Sequence, residues 1–184
     1  NAINQAGSNP CTIVVKEAIY VKTSGPNEGQ IKIAAGQDII IKAEGSGSIN
    51  RETNPEDGRN SGYLFNVAGM LRLENISVSG SKNDDGDKVT KNALVLVQGE
   101  NASLTLGSGA VLKDNANCAI DNRQGGAVYI SQGSLTMESG SRIEGCTASH
   151  GGGVHVGGGA SFTADSGASI TGCQSAHGSS VYLA

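Results

Sequence analysis

The sequence predicts an all-β fold: a right-handed single-stranded parallel β-helix (β-solenoid) of about six rungs with a repeat of 26–33 residues. The chain repeats itself, and apolar residues alternate with a period of two inside each repeat. Glycine, at 28 of 184 residues, works against long helices.

The repeat is plainest in the C-terminal half. Residues 124–150 read QGGAVYISQGSLTMESGSRIEGCTASH, and residues 151–177 read GGGVHVGGGASFTADSGASITGCQSAH. A third copy opens at Gly178. Cys146 to Cys173 is 27 residues, His150 to His177 is 27, and Val128 to Val154 is 26. Weaker copies lie at 93–115, 63–80 and 31–45, with 11–21 as the first turn. Within a copy, Val128, Ile130, Leu135, Met137 and Ile143 face inward, while Tyr129, Thr136 and Glu144 face outward. That makes three short strands per copy, divided by Gly/Ser turns. One copy cannot bury its apolar face alone; stacking at about 4.8 Å per rung builds the continuous core. The crossover rule for parallel strands sets the right hand. A β-propeller blade needs ~40–45 residues and does not fit.

A single β-helix domain over 1–184 follows. It divides into an N-terminal segment 1–10 with no strong cap signal, irregular rungs at 11–92 and regular repeats at 93–184. Charged, turn-rich stretches at 46–61 and 81–92 read as long surface loops, with a smaller insertion at 117–123. The chain opens at Asn1 without Met or leader, as a processed form or an excised domain does. Charged residues are 16%, and the net charge is −4. With no basic face to track phosphates, nucleic acid is not an expected partner. No apolar run approaches the ~18 residues of a membrane span. The glycines lack the strict period of three that collagen needs. Recurrent Val/Ile/Leu segments argue against disorder.

Several side-chain sets carry candidate chemistry. Tyr129, His155 and Tyr182 fall in one outward column, with Leu96 below, and read as exposed rings for stacking on sugars or a partner protein. Cross-rung shielding of the sheet is the alternative. Cys146 and Cys173 stack on adjacent rungs, as a disulfide or as a ladder of reduced apolar filler. With His150 and His177 they form CxxxH twice, a zinc-compatible set, although the repeat explains the duplication without metal and an inward Cys would not converge with an outward His. Asn83, Asp85 and Asp87 surround a Gly turn and could ligate calcium, or serve as ordinary turn residues. Thr105, Thr136 and Thr163 form another outward column, of the kind that orders water on ice-binding solenoids. Asn75 and Asn101 open N-glycosylation sequons that read as chance. Outward acids Glu138, Glu144 and Asp165 sit at different repeat positions, and Asp114 and Asp121 flank a loop, so no acid–base pair emerges. No cofactor is expected.

Gly125-Gly126-Ala127-Val128 and Gly151-Gly152-Gly153-Val154 resemble the GGA[ILV] and GGGV motifs of bacterial right-handed β-helix surface proteins. These include polymorphic outer-membrane proteins and repeat adhesins of gut bacteria. Leu112 to Asn115 followed by the GGAV motif is similar to the FxxN-then-GGAI order of the first group, with Leu for Phe. SLTMESGSRIEG, at 134–145, is similar to a unit of the second; Cys146 and Cys173 stand where those repeats place Asn. The likeness covers 93–184 well and 11–92 loosely. It implies an extracellular or cell-surface bacterial protein, adhesive and non-enzymatic.

The expectation is therefore an extracellular structural or adhesive module whose columns and loops meet a glycan or a host or cell-surface protein. Two alternatives stand beside it: a fibre subunit that self-associates end to end through open solenoid ends, and a small carbohydrate-active enzyme on a β-helix.

Overall fold

Short runs of β-branched and aliphatic residues between glycine turns form strands, and every named element of the structure is a strand. The computed structural model describes residues 3, 6–7, 9–23, 29–52, 62–80, 92–117 and 123–184. The first rung holds β1 (Cys11–Val15), β2 (Ala18–Lys22) and β3 (Ile31–Ile33). The second holds β4 (Asp38–Ala43), β5 (Ser48–Glu52) and β6 (Phe65–Val67). The third holds β7 (Met70–Glu74), β8 (Ser77–Ser79) and β9 (Val95–Val97). A fourth strand then joins each rung: β10 (Ser103–Leu106), β11 (Val111–Lys113), β12 (Ala116–Asn117) and β13 (Val128–Ile130). Next come β14 (Ser134–Met137), β15 (Arg142–Glu144), β16 (Thr147–His150) and β17 (Val154–Val156). The last rung is β18 (Ser161–Ala164), β19 (Ser169–Thr171), β20 (Gln174–His177) and β21 (Val181–Leu183).

Each strand pairs in parallel with its equivalent one rung away, which gives a β-solenoid of about five turns. The first face runs β1-β4-β7-β10-β14-β18, the second β2-β5-β8-β11-β15-β19, and the third β3-β6-β9-β13-β17-β21. The corner sheet β12-β16-β20 lies between the second and third faces. No helix among the described residues is long and apolar enough to cross a membrane.

Register makes the core a set of vertical columns. Ile39, Leu71, Leu104, Leu135 and Phe162 form one; Ile49, Val78, Leu112, Ile143 and Ile170 another; Phe65, Val95, Val128, Val154 and Val181 a third. From Ile39 and Ile49 up to Leu135, Ile143 and Val154 these positions are closed to solvent. Each such side chain contributes about 1.5–3 kcal/mol by leaving water. The inward and outward assignments for 128–144 hold throughout.

Three expectations change. The last copies hold four strands and not three, because Thr147–His150 and Gln174–His177 are strands as well. The stretch 46–61 is not wholly a surface loop: Ser48–Glu52 is β5, which pairs with β2 on one side and β8 on the other. Turn residues dominate that stretch's composition, yet Ile49 and Arg51 keep inward alternation and are buried. The N-terminal segment also packs: Ile3 and Ala6 are buried, and Gln37 Nε2 donates to both of their carbonyls at 2.9 Å. The remaining loop residues 53–61 and 81–91, and with them the calcium candidates Asn83, Asp85 and Asp87, lie outside the described residues. Cys118 and Asp121 do as well.

Candidate functional site

The glycine motif shapes the corner beside the site. Gly125, Gly151 and Gly178 occupy equivalent corners, with φ of +69°, +66° and +62°. That region favours glycine, and a Cβ at Gly125 or Gly151 would lie 2.1 Å from the carbonyl oxygen of Val128 or Val154. The chain therefore turns tightly from the corner sheet onto the third face. His150 of β16 ends up against His155 and Tyr182 of the third face.

The resulting cluster holds all three histidines of the chain. His150 stacks on His177 with ring centroids 4.6 Å apart and meets Tyr182 edge-on at 5.0 Å. His155 stacks on Tyr182 at 5.1 Å and takes Tyr129 edge-on at 5.2 Å. Register places Leu96, Tyr129, His155 and Tyr182 in one outward column, as the sequence indicates. The column is not a row of exposed rings, however. His155 is only 3% exposed, while Tyr129 and Tyr182 are half-buried. Rings one rung apart cover each other, and His150 folds over His155 from the corner. Sequence spacing along one column carries no sign of that second contribution.

Gln124, His150, His155, Tyr182 and Ala184 line an open cleft of about 200 Å³. His155 Nδ1 is buried there with no hydrogen-bond partner among the described residues. Burial, and secondarily the neighbouring His150, holds the His155 imidazole below its ordinary pKa. Burial chiefly, with Tyr129 next, raises that of Tyr63.

The duplicated CxxxH does not assemble one site. Cys146 and Cys173 sit in the core without a disulfide between them, and His150 and His177 stack on the outside. Among the described residues no group of three or more His, Cys, Asp or Glu is arranged to hold a metal ion. The hydrogen bond to Cys173, followed by burial, pushes the Cys146 thiol well up, which keeps it protonated and unreactive.

Below this thiol pair lies a polar interior that the sequence reading missed. Arg51 is fully buried. Its Nη1 donates to Asn115 Oδ1 at 2.7 Å, and Nη2 donates to the Gly62 and Ala93 carbonyls, each at 3.0 Å. Asn115 in turn donates to the Gly126 carbonyl at 2.6 Å. Asn115 follows β11, Cys146 follows β15 and Cys173 follows β19, so one interior corner changes from amide to thiol up the stack. Burial brings the Arg51 pKa down to about 10, which leaves it charged at neutral pH.

On the first face, Thr105, Thr136 and Thr163 form the expected column, with Arg72 beneath. Arg72 reaches two rungs up to a bidentate pair with Glu138, both contacts 2.6 Å, and also meets Glu74. Glu144 sits 3.5 Å from Arg142, and Asp114 3.6 Å from Lys113. These outward acids are thus each held by a cation. No family model, curated protein or solved structure matches the chain.

Proposed function

We propose that this chain is an extracellular, non-catalytic surface module of the bacterial repeat-adhesin kind, whose Tyr129/His150/His155/Tyr182 corner holds a glycan. The convergence of half-buried tyrosine and histidine rings around a small open cleft carries this reading. Aromatic bodies with polar tips suit a sugar, which offers both C–H faces and hydroxyls. The cleft is smaller than the ~300–1,000 Å³ of sites for drug-sized ligands, so it fits one ring of a larger chain. Affinity at one such site is low, and display of many modules on a surface multiplies it. The pairing of Glu138, Glu144 and Asp114 with cations supports a non-catalytic role.

Screening on immobilised glycans, followed by calorimetry, tests the reading. Binding should weaken at least tenfold in Tyr182→Ala. Absence of binding to every glycan at millimolar ligand would overturn it.

A second reading, end-to-end self-association, draws on the solenoid ends. β1 and β18 each pair on one side only among the described strands. Ile13, Ile19, Ile31 and Ile49 line an apolar groove of about 450 Å³ on the first two rungs. Concentration-dependent growth in light scattering would support this reading, and a constant monomer mass would remove it.

A further inference from the structure

The repeat accounts for His150 and His177, which are equivalent residues of successive copies. It does not account for His155, whose column carries Leu96, Tyr129 and Tyr182 on neighbouring rungs. A third imidazole has been placed beside the stacked pair, 6.4 Å from His150. Every element packed at the cleft contributes to its charge state. β13 brings Tyr129, β16 brings His150, β17 brings His155, β20 brings His177 and β21 brings Tyr182. Arg123, beside Gln124, is the charged residue of the adjoining segment among the described residues, and Tyr63 lies near it and Tyr129. Among the described residues no carboxylate is ion-paired with any of the three imidazoles. The chain as a whole is acidic, so this corner departs from its surroundings.

We propose that the cleft is an acid-dependent site for an anionic saccharide, one bearing a carboxylate or sulfate group, bound by protonated His150 and His177. The proposal rests on the glycan reading above and specifies the ligand and its regulation. In the structure the His150 and His177 rings stack on one another. Histidine is the side chain whose charge ordinarily changes between about pH 5 and 8, the range in which an imidazole cluster can answer to acid. Two stacked imidazolium rings repel, and no carboxylate among the described residues is ion-paired with them. An anionic ligand supplies that missing charge through hydrogen bonds to both rings, while Gln124 and the Tyr182 ring engage the sugar. Linkage makes the effect reciprocal: protons strengthen anion binding, and the anion raises the histidine pKa values.

Three oligosaccharides titrated calorimetrically into the 184-residue chain at about pH 5 and about pH 7.5 test this. One is an oligogalacturonate, one a heparin-derived sulfated oligomer and one a neutral chitooligosaccharide. At least one acidic ligand should bind about tenfold or more tightly at the lower pH, and which one gains identifies the anionic group. The neutral ligand should change little. His150→Gln combined with His177→Gln should abolish the acid gain while far-UV dichroism remains unchanged. NMR titration should show the imidazole resonances of His150 and His177 protonating at higher pH when the acidic ligand is present. Equal acidic-ligand affinity at both pH values overturns the proposal, as does an acid gain that survives in the double variant. Binding of the neutral oligomer alone leaves the glycan reading standing and removes this one; no binding of any kind removes both.

Discussion

Arg51 shows how a single residue sets the interior. A buried guanidinium is stable only when its donors find acceptors, and Asn115, Gly62 and Ala93 accept three of its hydrogen bonds. Gly80 makes the arrangement possible: a Cβ there would lie 2.5 Å from Asn115 Oδ1 and 2.6 Å from Asn115 Cα. Gly80→Ala should therefore destabilise by about 1–3 kcal/mol through overpacking. Arg51→Ala should cost about 3 kcal/mol, because it strands the Asn115 amide oxygen and two carbonyls. Urea midpoints measure both; a neutral effect of Arg51→Ala would mean that the interior relaxes around the gap. His155 adds a pH dependence in the ligand-free protein. Its folded pKa lies below the ordinary 6.5, so the unfolded chain binds a proton that the folded chain resists. Stability is full above about 6.5 and falls as pH drops through the window beneath it. His155→Gln should flatten that part of the urea-midpoint profile. Glu138 acts in a separate window: its carboxyl is held below 4.5 by the Arg72 hydrogen bonds, and its contribution is lost as pH falls through its folded value.

At the scale of the strand, pairing on two sides separates the inner rungs from the outer ones. β10 lies between β7 and β14 with its Leu104 and Leu106 closed to solvent, whereas β18 pairs with β14 alone and is mostly exposed. Hydrogen exchange read by mass spectrometry should find β10 and β14 most protected, with β1 and β18 exchanging first. Uniform protection across the rungs would show that the stack opens only as a whole. The thiols follow the same geometry. Cys11 is half-buried, and Cys146 and Cys173 are buried. Alkylation of the native protein followed by peptide mapping should label Cys11, while Cys146 and Cys173 react only after unfolding. A Cys146–Cys173 disulfide in the unreduced map would replace the thiol ladder with a covalent staple.

Across the whole molecule, stability is a sum of rung-to-rung contacts, and few interactions skip a rung. Arg72 is one that does, reaching from β7 to Glu138 beyond β14. Both partners are about one-third exposed, so solvent screens the pair. Arg72→Ala should cost under about 1 kcal/mol, and the difference should shrink in 1 M salt, where the Debye length is about 3 Å. A larger, salt-independent loss would assign Arg72 a packing role along Gly107, whose Cβ would lie 2.9 Å from Arg72 Nη2.

The amino-acid sequence by itself determined the solenoid, its rung boundaries in the C-terminal half and the facing of the strand residues at 128–144. Period-two alternation and the repeat are local properties, and stacking identical units only multiplies them. The Tyr129–His155–Tyr182 column was legible for the same reason, because equal repeat position means equal place in the stack. Tertiary structure alone decided that His150, with His177 stacked on it, joins that column and that His150 meets His155, since the corner between two faces brings together residues from different repeat positions. It also decided that Arg51 is interior. Its neighbours in sequence are polar turn residues, and its partners Gly62, Ala93 and Asn115 are fixed by distant rungs. Alternation along one strand reports which way a side chain points; only the packed stack sets what covers it there.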